Sequence, residues 1–242
     1  MARDLGLALP TSDARVLDFG CGYGDIVGEF RTRGFEADGV DIVPFWGEAK
    51  DRYWEQRDSL PEALRSRLHV AEQRPYRLPF PDDSFDLVVS WQVFEHVMDF
   101  PATMSEVGRV LKPHGLSIHM FPARWSPVEM HVFVPLATVL RARAWLGLWA
   151  LLGIRNQFQR GLPWREVVDR NDRYLANETN YPTHGMIRRW AREAGVRVSF
   201  APALFLAHHP GRSGRIARSL PVPGIARLYE TVGQRTMILR KA

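Results

Sequence analysis

Residues able to do chemistry fall at three places in the chain. Asp18 follows the apolar pair Val16-Leu17, and Gly20, Gly22 and Gly24 come after it at alternate positions around Cys21. Glycine accepts backbone angles closed to other residues and lets a ligand come against the main chain. An acid at a strand's carboxyl end, just before such a turn, stands where open α/β sheets bind their ligands. This stretch reads as a cradle for a nucleotide-type cofactor. Asp41 ends a second run, Phe35 to Asp41, about 20 residues past the turn, where Rossmann-like folds place the carboxylate that takes a ribose diol. His96 sits in Val93-Phe94-Glu95-His96-Val97, shortly after a third apolar run. With an unperturbed pKa of about 6.5, its imidazole suits proton removal near neutral pH.

The glycine spacing narrows the cofactor. A dinucleotide fingerprint needs G-x-G-x-x-G, and the third glycine would fall on Asp25 or Val27. A phosphate loop needs Gly-Lys-Ser/Thr, and none follows. What stands here is Asp18-Phe19-Gly20-Cys21-Gly22-Tyr23-Gly24, which resembles motif I of the class I S-adenosylmethionine-dependent methyltransferases. That donor carries an ammonium, a sulfonium and a ribose but no phosphate, so an acid beside the turn suits it. Three further segments resemble the same family in order and spacing: Leu78 to Asp86 (LPFPDDSFD), Val93 to Val97, and Glu106 to Gly115. Together with motif I they span about the first half of the chain. His114 departs from the pattern, since the family usually has a second glycine there.

The resemblance implies a Rossmann-like α/β domain: a seven-stranded sheet, mostly parallel, with the last strand antiparallel. It implies S-adenosylmethionine as methyl donor, held by Asp18, Gly20, Cys21, Gly22, Gly24, Asp41 and Ile42. Glu72 or Gln73, after the third strand, would border the adenine. Ser90 and Trp91, after the fourth, would lie near the methionine part. Related O-methyltransferases with a similar Glu-His-Val segment make His96 the candidate general base; the alternative is a histidine that packs or caps the following helix.

The elements that must position these residues can be laid out in order. Strands are expected at Arg15 to Phe19, Phe35 to Asp41, Leu68 to Ala71, Ser84 to Ser90 and His114 to Phe121. A helix from near Gly24 to Gly34 would turn Ile26, Val27 and Phe30 inward, and residues 44–67 read as helical with a break at Pro61. Thr183 to Glu193 reads as a helix, and Val196 to Pro202 and Arg235 to Arg240 read as strands forming a closing hairpin. Between the fifth strand and that helix lie about 60 residues, too many for a structureless loop in a compact domain. They are expected to form a small helical lobe over the sheet's carboxyl edge, where an acceptor arrives. The organisation is then a cofactor-binding half at 1–121, an insertion or substrate lobe at 122–182, and 183–242 completing the same sheet.

At 242 residues with 45% hydrophobic content, the chain can bury one full core. A single cysteine excludes a disulfide framework, and the first residues lack the apolar stretch of a signal peptide, so a cytoplasmic protein is expected. The longest apolar run, Ala144 to Ile154, is too short to span a bilayer; its uses are then simple core packing, a peripheral membrane contact or a homodimer face. Charge is segregated: residues 1–121 hold 13 Lys and Arg against 20 Asp and Glu, and residues 122–242 hold 19 against 7. That asymmetry points to an anionic acceptor or surface, with Arg124, Arg155, Arg160 and Arg165 as candidate clamps.

Acceptors narrow by elimination. Methylation at a pyrimidine carbon needs a cysteine nucleophile, and Cys21 is committed to the turn. Exocyclic-amine methylation of adenine usually carries Asn/Asp-Pro-Pro-Tyr/Phe after the fourth strand, where Ser90-Trp91-Gln92-Val93 stands instead. No nucleic acid partner is expected. The insertion, with Trp125, Trp145, Trp149 and Trp164, bears a looser similarity to methyltransferases of bacterial polysaccharide assembly, and tryptophan faces suit sugars. A hydroxyl of a sugar or glycan is the expected acceptor; a lipophilic quinone or polyketide-like molecule is the alternative, and a catalytically silent cofactor-binding relative is a third reading. Histidine and acid candidates also occur outside the motifs, at Glu129, His131, Tyr181, His184, His208 and His209. His96, Glu129, His131 and His208 could be assembled around a metal, but no HExxH-type spacing announces one, and no metal is expected.

Overall fold

The computed structural model describes residues 1–7, 13–42, 58–73, 75–208 and 223–242. Its main sheet has seven strands: β1 (Arg15–Phe19), β2 (Glu36–Asp41), β3 (Leu68–Val70), β6 (Phe85–Trp91), β7 (Leu111–Pro122), β8 (Val196–Phe200) and β9 (Gln234–Lys241). Their order is β3-β2-β1-β6-β7-β9-β8, and β4 (Glu72–Gln73) and β5 (Tyr76–Arg77) form a separate small hairpin. The first five pair in parallel, and β9 runs antiparallel to both β7 and β8. Parallel strands covered on both faces read as continuous apolar runs, as in Leu87-Val88-Val89. The strand order reverses beside β1, where β2 leaves to one side and β6 to the other, and that reversal opens a crevice at the carboxyl ends.

Helices cover both faces. On one side, α3 (Phe100–Val110) and α6 (His184–Glu193) bury Phe100, Met104, Val107, Ile187 and Ala191 against Leu17, Phe19, Val88 and Leu239. On the other, α1 (Asp25–Thr32) and α7 (Pro202–His208) place Val27 and Leu204 with Val16, Leu116 and Ile238. The starts of α3 and α6 are set by side chains that accept from otherwise orphaned N–H groups. Asp99 accepts from Ala102 at 3.0 Å and Thr183 from Met186 at 3.2 Å. The LPFPDD segment is shaped by one arginine: Arg109 donates to the carbonyls of Leu78 and Phe80 and to the carboxylates of Asp82 and Glu106, all at 2.7–3.0 Å.

Several expectations need correction. Val27 is buried, but Ile26 lies on the exposed side of α1. The helix expected over 44–67 falls mostly outside the described residues; within them a short α2 (Glu62–Arg65) begins directly after Pro61. The fifth strand starts three residues early, because Leu111 already pairs with Phe85 before the register shifts. The closing hairpin is not tight: α7 and α8 (Pro223–Val232) separate β8 from β9.

Between β7 and α6 the chain forms a helical lobe with α4 (Arg143–Leu151) and α5 (Trp164–Asn177). Val132, Val134, Leu146, Val167, Val168 and Leu175 make its own buried cluster, with Trp145, Trp149 and Trp164 packed against it. No helix among the described residues is long and apolar enough to cross a membrane.

Gly39 shows how tightly the glycine turn is seated on β2. A Cβ there would stand 2.7 Å from Cys21 Cβ and 2.8 Å from Val27 Cγ2, and these neighbours belong to a packed core with no slack. Gly39→Ala is expected to cost about 1–3 kcal/mol by overpacking, read as a lowered urea midpoint with unchanged slope.

Candidate active site

At the carboxyl ends of β1, β2 and β6 a cavity of about 790 Å³ opens between the sheet and the lobe. Its floor is the glycine turn, where Gly20, Gly22 and Gly24 all have positive φ, at 80°, 49° and 83°. Asp41 clamps this turn to β2: its Oδ2 accepts from the Gly22 N–H at 2.7 Å, and its Oδ1 from the Ile42 N–H at 2.7 Å. Asp41, Ile42, Gly20 and Gly22 all line the cavity, with Tyr23, Ala71 and Tyr76 beside them.

Asp18 sits behind the turn, only 2% exposed. Its Oδ1 has no hydrogen-bond partner among the described residues. Burial pushes its pKa up to about 7, and the nearby charges of Asp41 and Asp25 push the same way. Three carboxylates thus surround a turn that supplies no compensating cation. Cys21 is buried behind the turn as well, against Gly39.

The other wall begins where β6 ends. Gln92 takes a left-handed φ of 57°, a conformation uncommon for a residue with a side chain, and this swings Val93 and the one-turn 3-10 helix Phe94–His96 to the cavity. His96 lines it, with Nδ1 2.7 Å from the Glu178 carbonyl oxygen. A carbonyl only accepts, so Nδ1 carries the proton and Nε2 is the basic nitrogen of the neutral ring. Burial lowers the His96 pKa and keeps the ring neutral.

Across from it stands His131 of the lobe, its ring centroid 4.8 Å from that of His96. His131 is aimed by a fully buried carboxylate. Glu129 accepts from His131 Nδ1 at 2.7 Å, from Tyr181 OH at 2.7 Å, and from the His131 and Val132 N–H groups. Burial alone would raise the Glu129 pKa; these donors and the His131 charge bring it below the usual range. Burial would likewise depress His131, but the bond to Glu129 and its charge raise it. The lobe is sewn to the β6 exit by two further bonds, from Asn180 N to the Glu95 carbonyl (2.6 Å) and from Asn180 Nδ2 to the Val97 carbonyl (3.1 Å).

The expected site residues divide accordingly. Gly20, Gly22, Asp41, Ile42 and His96 line the cavity; Asp18, Cys21 and Gly24 support its floor from behind. Ser90 and Trp91 do not line it. Ser90 is turned into the interior, where its hydroxyl bonds His119 Nδ1 at 2.8 Å, and Trp91 is 45% exposed. Gln92 and Val93, the next two residues, line the cavity instead. The side chains of Glu72 and Gln73 lie outside the described residues, as does His209. His208 pairs with Asp4 instead of joining His96, and His184 packs on Phe200.

Of the candidate clamps, Arg124 and Arg155 donate to backbone carbonyls and Arg165 stacks on Trp164. No lysine or arginine lines the cavity among the described residues, so the anionic acceptor expected from overall charge finds no counterpart there. Tyr76, Thr103 and Glu178 also line the cavity, and Glu95 is buried beside His96; none of the four carries a motif of its own in the sequence. The Glu129–His131 spacing is the sequence's one usable signal for the lobe's contribution.

A family model described as a methyltransferase domain matches residues 2–198. The chain belongs to this family. Among curated relatives, an uncharacterised methyltransferase of Bacillus subtilis is 34% identical over 116 residues, covering 46% of this chain and 44% of its own length. The malonyl-[acyl-carrier protein] O-methyltransferase of Halorhodospira halophila is 32% identical over 165 residues, covering 64% and 46%. A ubiquinone biosynthesis O-methyltransferase of Cereibacter sphaeroides is 34% identical over 116 residues, covering 48% and 44%. Each match thus takes in less than half of the relative's length. An S-adenosylmethionine-dependent methyltransferase structure from Mesorhizobium loti superposes with a TM-score of 0.52 at 18% identity, over 96% of this chain and 94% of that one, which speaks to the fold. The sheet order and the match together make this a class I S-adenosylmethionine-dependent methyltransferase fold.

The residues present fit that donor. The floor offers an orphaned buried carboxylate oxygen on Asp18 and a second acid, Asp41, at the end of β2. Gly20 lets Val93 come against the turn, since a Cβ there would stand 2.3 Å from Val93 Cγ2, and its φ of 80° favours glycine.

Two outcomes follow. Gly20→Ala is expected to weaken donor binding by roughly tenfold or more, given about 1–3 kcal/mol of strain, measured by titration calorimetry. A cationic ligand favours ionised Asp18, which is protonated below about 7 when the site is empty. Affinity for the donor should therefore rise with pH up to about 7 and then level, with proton release on binding below it, and Asp18→Asn should flatten that profile.

Proposed function

We propose that this chain transfers a methyl group from S-adenosylmethionine to a hydroxyl of a small acceptor bound between the sheet edge and the lobe. The observation that carries the reading is His96: a neutral imidazole on the cavity wall, its tautomer fixed by Glu178, with the basic nitrogen as the ring's other pole. The donor supplies an electrophilic methyl on a sulfonium. What remains for the protein is to align an oxygen with it and to relieve that oxygen of its proton. Asp41 and the Gly20–Gly22 backbone hold the donor's ribose and methionine ends, with Asp18 answering the cation from behind. Ala71 and Ile42 flank the adenine side. His96 accepts the hydroxyl proton at Nε2, and the lobe, pinned by Asn180 and Tyr181, excludes water above it.

For the acceptor itself, the sugar or glycan reading draws on the looser likeness of the insertion to polysaccharide methyltransferases. Its aromatic support is thin, because Trp145, Trp149 and Trp164 pack inside the lobe, Trp125 is 54% exposed, and none of the four lines the cavity. A second reading, a phenolic hydroxyl of a quinone-like ring, is favoured by the apolar wall of Val93, Val97 and Met98. The relatives that act in ubiquinone biosynthesis point the same way.

His96→Ala is expected to lower kcat about 10²–10⁴-fold while leaving affinity for the demethylated donor within twofold. The check is a labelled-donor assay over sugars, oligosaccharides and phenolic quinones, paired with calorimetry. Turnover that survives the substitution would remove His96 from the chemistry.

A further inference from the structure

Glu95 has no part in the chemistry above, yet it is among the least satisfied side chains of the described residues. It is 0% exposed, and neither carboxylate oxygen has a hydrogen-bond partner on another described residue. An unpaired buried carboxylate is among the costliest groups a fold can carry, and a cation bound beside it would offset that cost. One donor atom each from Glu95, His96 and His131 lie within 4.8 Å of one another. The two imidazoles share a further feature. Each has Nδ1 engaged by a fixed oxygen, His96 by the Glu178 carbonyl and His131 by the Glu129 carboxylate, both at 2.7 Å. Metal-binding histidines are held this way: an outer oxygen fixes the tautomer and turns Nε2 toward the ion.

From this convergence we infer that Glu95, His96 and His131 form a binding site for a divalent transition-metal cation. Two imidazoles and one carboxylate suit zinc, iron, cobalt or manganese over magnesium or calcium, which prefer all-oxygen shells. A three-residue set also leaves coordination positions open, as in catalytic rather than closed structural sites. Those positions face the cavity that His96 and His131 line. Ligands at about 2.0–2.2 Å from an ion stand roughly 3–3.5 Å apart, so side-chain rotations of about an ångström close the set. The ion would bind across the seam between the fold's two parts, since Glu95 and His96 belong to the β6 exit and His131 to the lobe.

The inference deepens the hydroxyl reading and rests on it for one consequence only. With a cation bound, His96 Nε2 is a ligand, and an acceptor hydroxyl at an open position loses its proton to solvent through polarisation by the ion instead of to His96.

Binding itself is tested without turnover. Metal-free protein is titrated with Co(II), followed by its visible absorption bands and by calorimetry, with affinity for S-adenosylhomocysteine measured in parallel. One equivalent should bind, and Glu95→Gln and His131→Asn should each weaken it tenfold or more while binding of S-adenosylhomocysteine holds. If Glu95→Gln no longer binds S-adenosylhomocysteine and so has lost its fold, His131→Asn and His96→Asn decide the matter. No binding by the unmodified chain, or binding these substitutions leave unchanged, overturns the site. Indifference of the unmodified chain to S-adenosylhomocysteine, with Co(II) still bound, would strike the methyl-transfer reading and spare this one.

Discussion

Removing a carboxylate from water without giving it a donor is expensive, and this chain does so on both sides of one cavity. Asp18 lies under the floor and Glu95 behind the wall, each with oxygen left unpartnered among the described residues. Both carboxyls are pushed up to about 7 by burial. Glu129, equally buried, is the contrast: four donors satisfy it, and it stays ionised. The difference separates an acid the fold satisfies from two that it leaves without donors among the described residues. A cavity lined by Asp41, Asp99 and Glu178, with no lysine or arginine among its described lining residues, attracts cations, and a sulfonium donor is one.

The fold makes that arrangement possible by geometry. Sheet reversal at β1 leaves the ends of β1, β2 and β6 around a common space, and helix caps and glycine turns convert strand ends into walls. Asp41 serves twice, since the carboxylate at the end of β2 also holds the Gly22 N–H. The lobe adds what the sheet cannot: an imidazole aimed back at the one on the β6 exit. Asn180 and Glu178 fix the spacing through bonds that each engage a main-chain carbonyl, those of Glu95, Val97 and Glu178 itself.

Much of this could be read from residues alone. The acid–glycine turn, Asp41 and the five parallel strands follow from local pattern, because a buried parallel strand leaves an apolar run and a turn leaves glycines. The lobe's position over the carboxyl edge follows from chain length. What escaped was set by contacts far apart in sequence. Ser90 and Trp91 end the expected strand but do not line the cavity, because Ser90 is spent on a buried bond to His119. Of the arginines considered as clamps, Arg124 and Arg155 hold carbonyls and Arg165 stacks on a tryptophan. Glu95 looked like a companion of His96 and carried no separate signal, since its isolation depends on what packs around it. Helices α7 and α8 were missed because a hairpin is the default way to join two antiparallel neighbours.

β9 lies between β7 and β8 in space although it follows both in sequence. Until it arrives, β7 presents a row of free main-chain groups at an open edge, and β8 has no strand to join. A ribosome delivers more than a hundred residues between the end of β7 at Pro122 and the start of β9 at Gln234. During that interval the nascent sheet is an adhesive template for any other unpaired strand. Expression yield and dependence on chaperones should thus hinge on a strand that contributes none of the cavity's described lining residues.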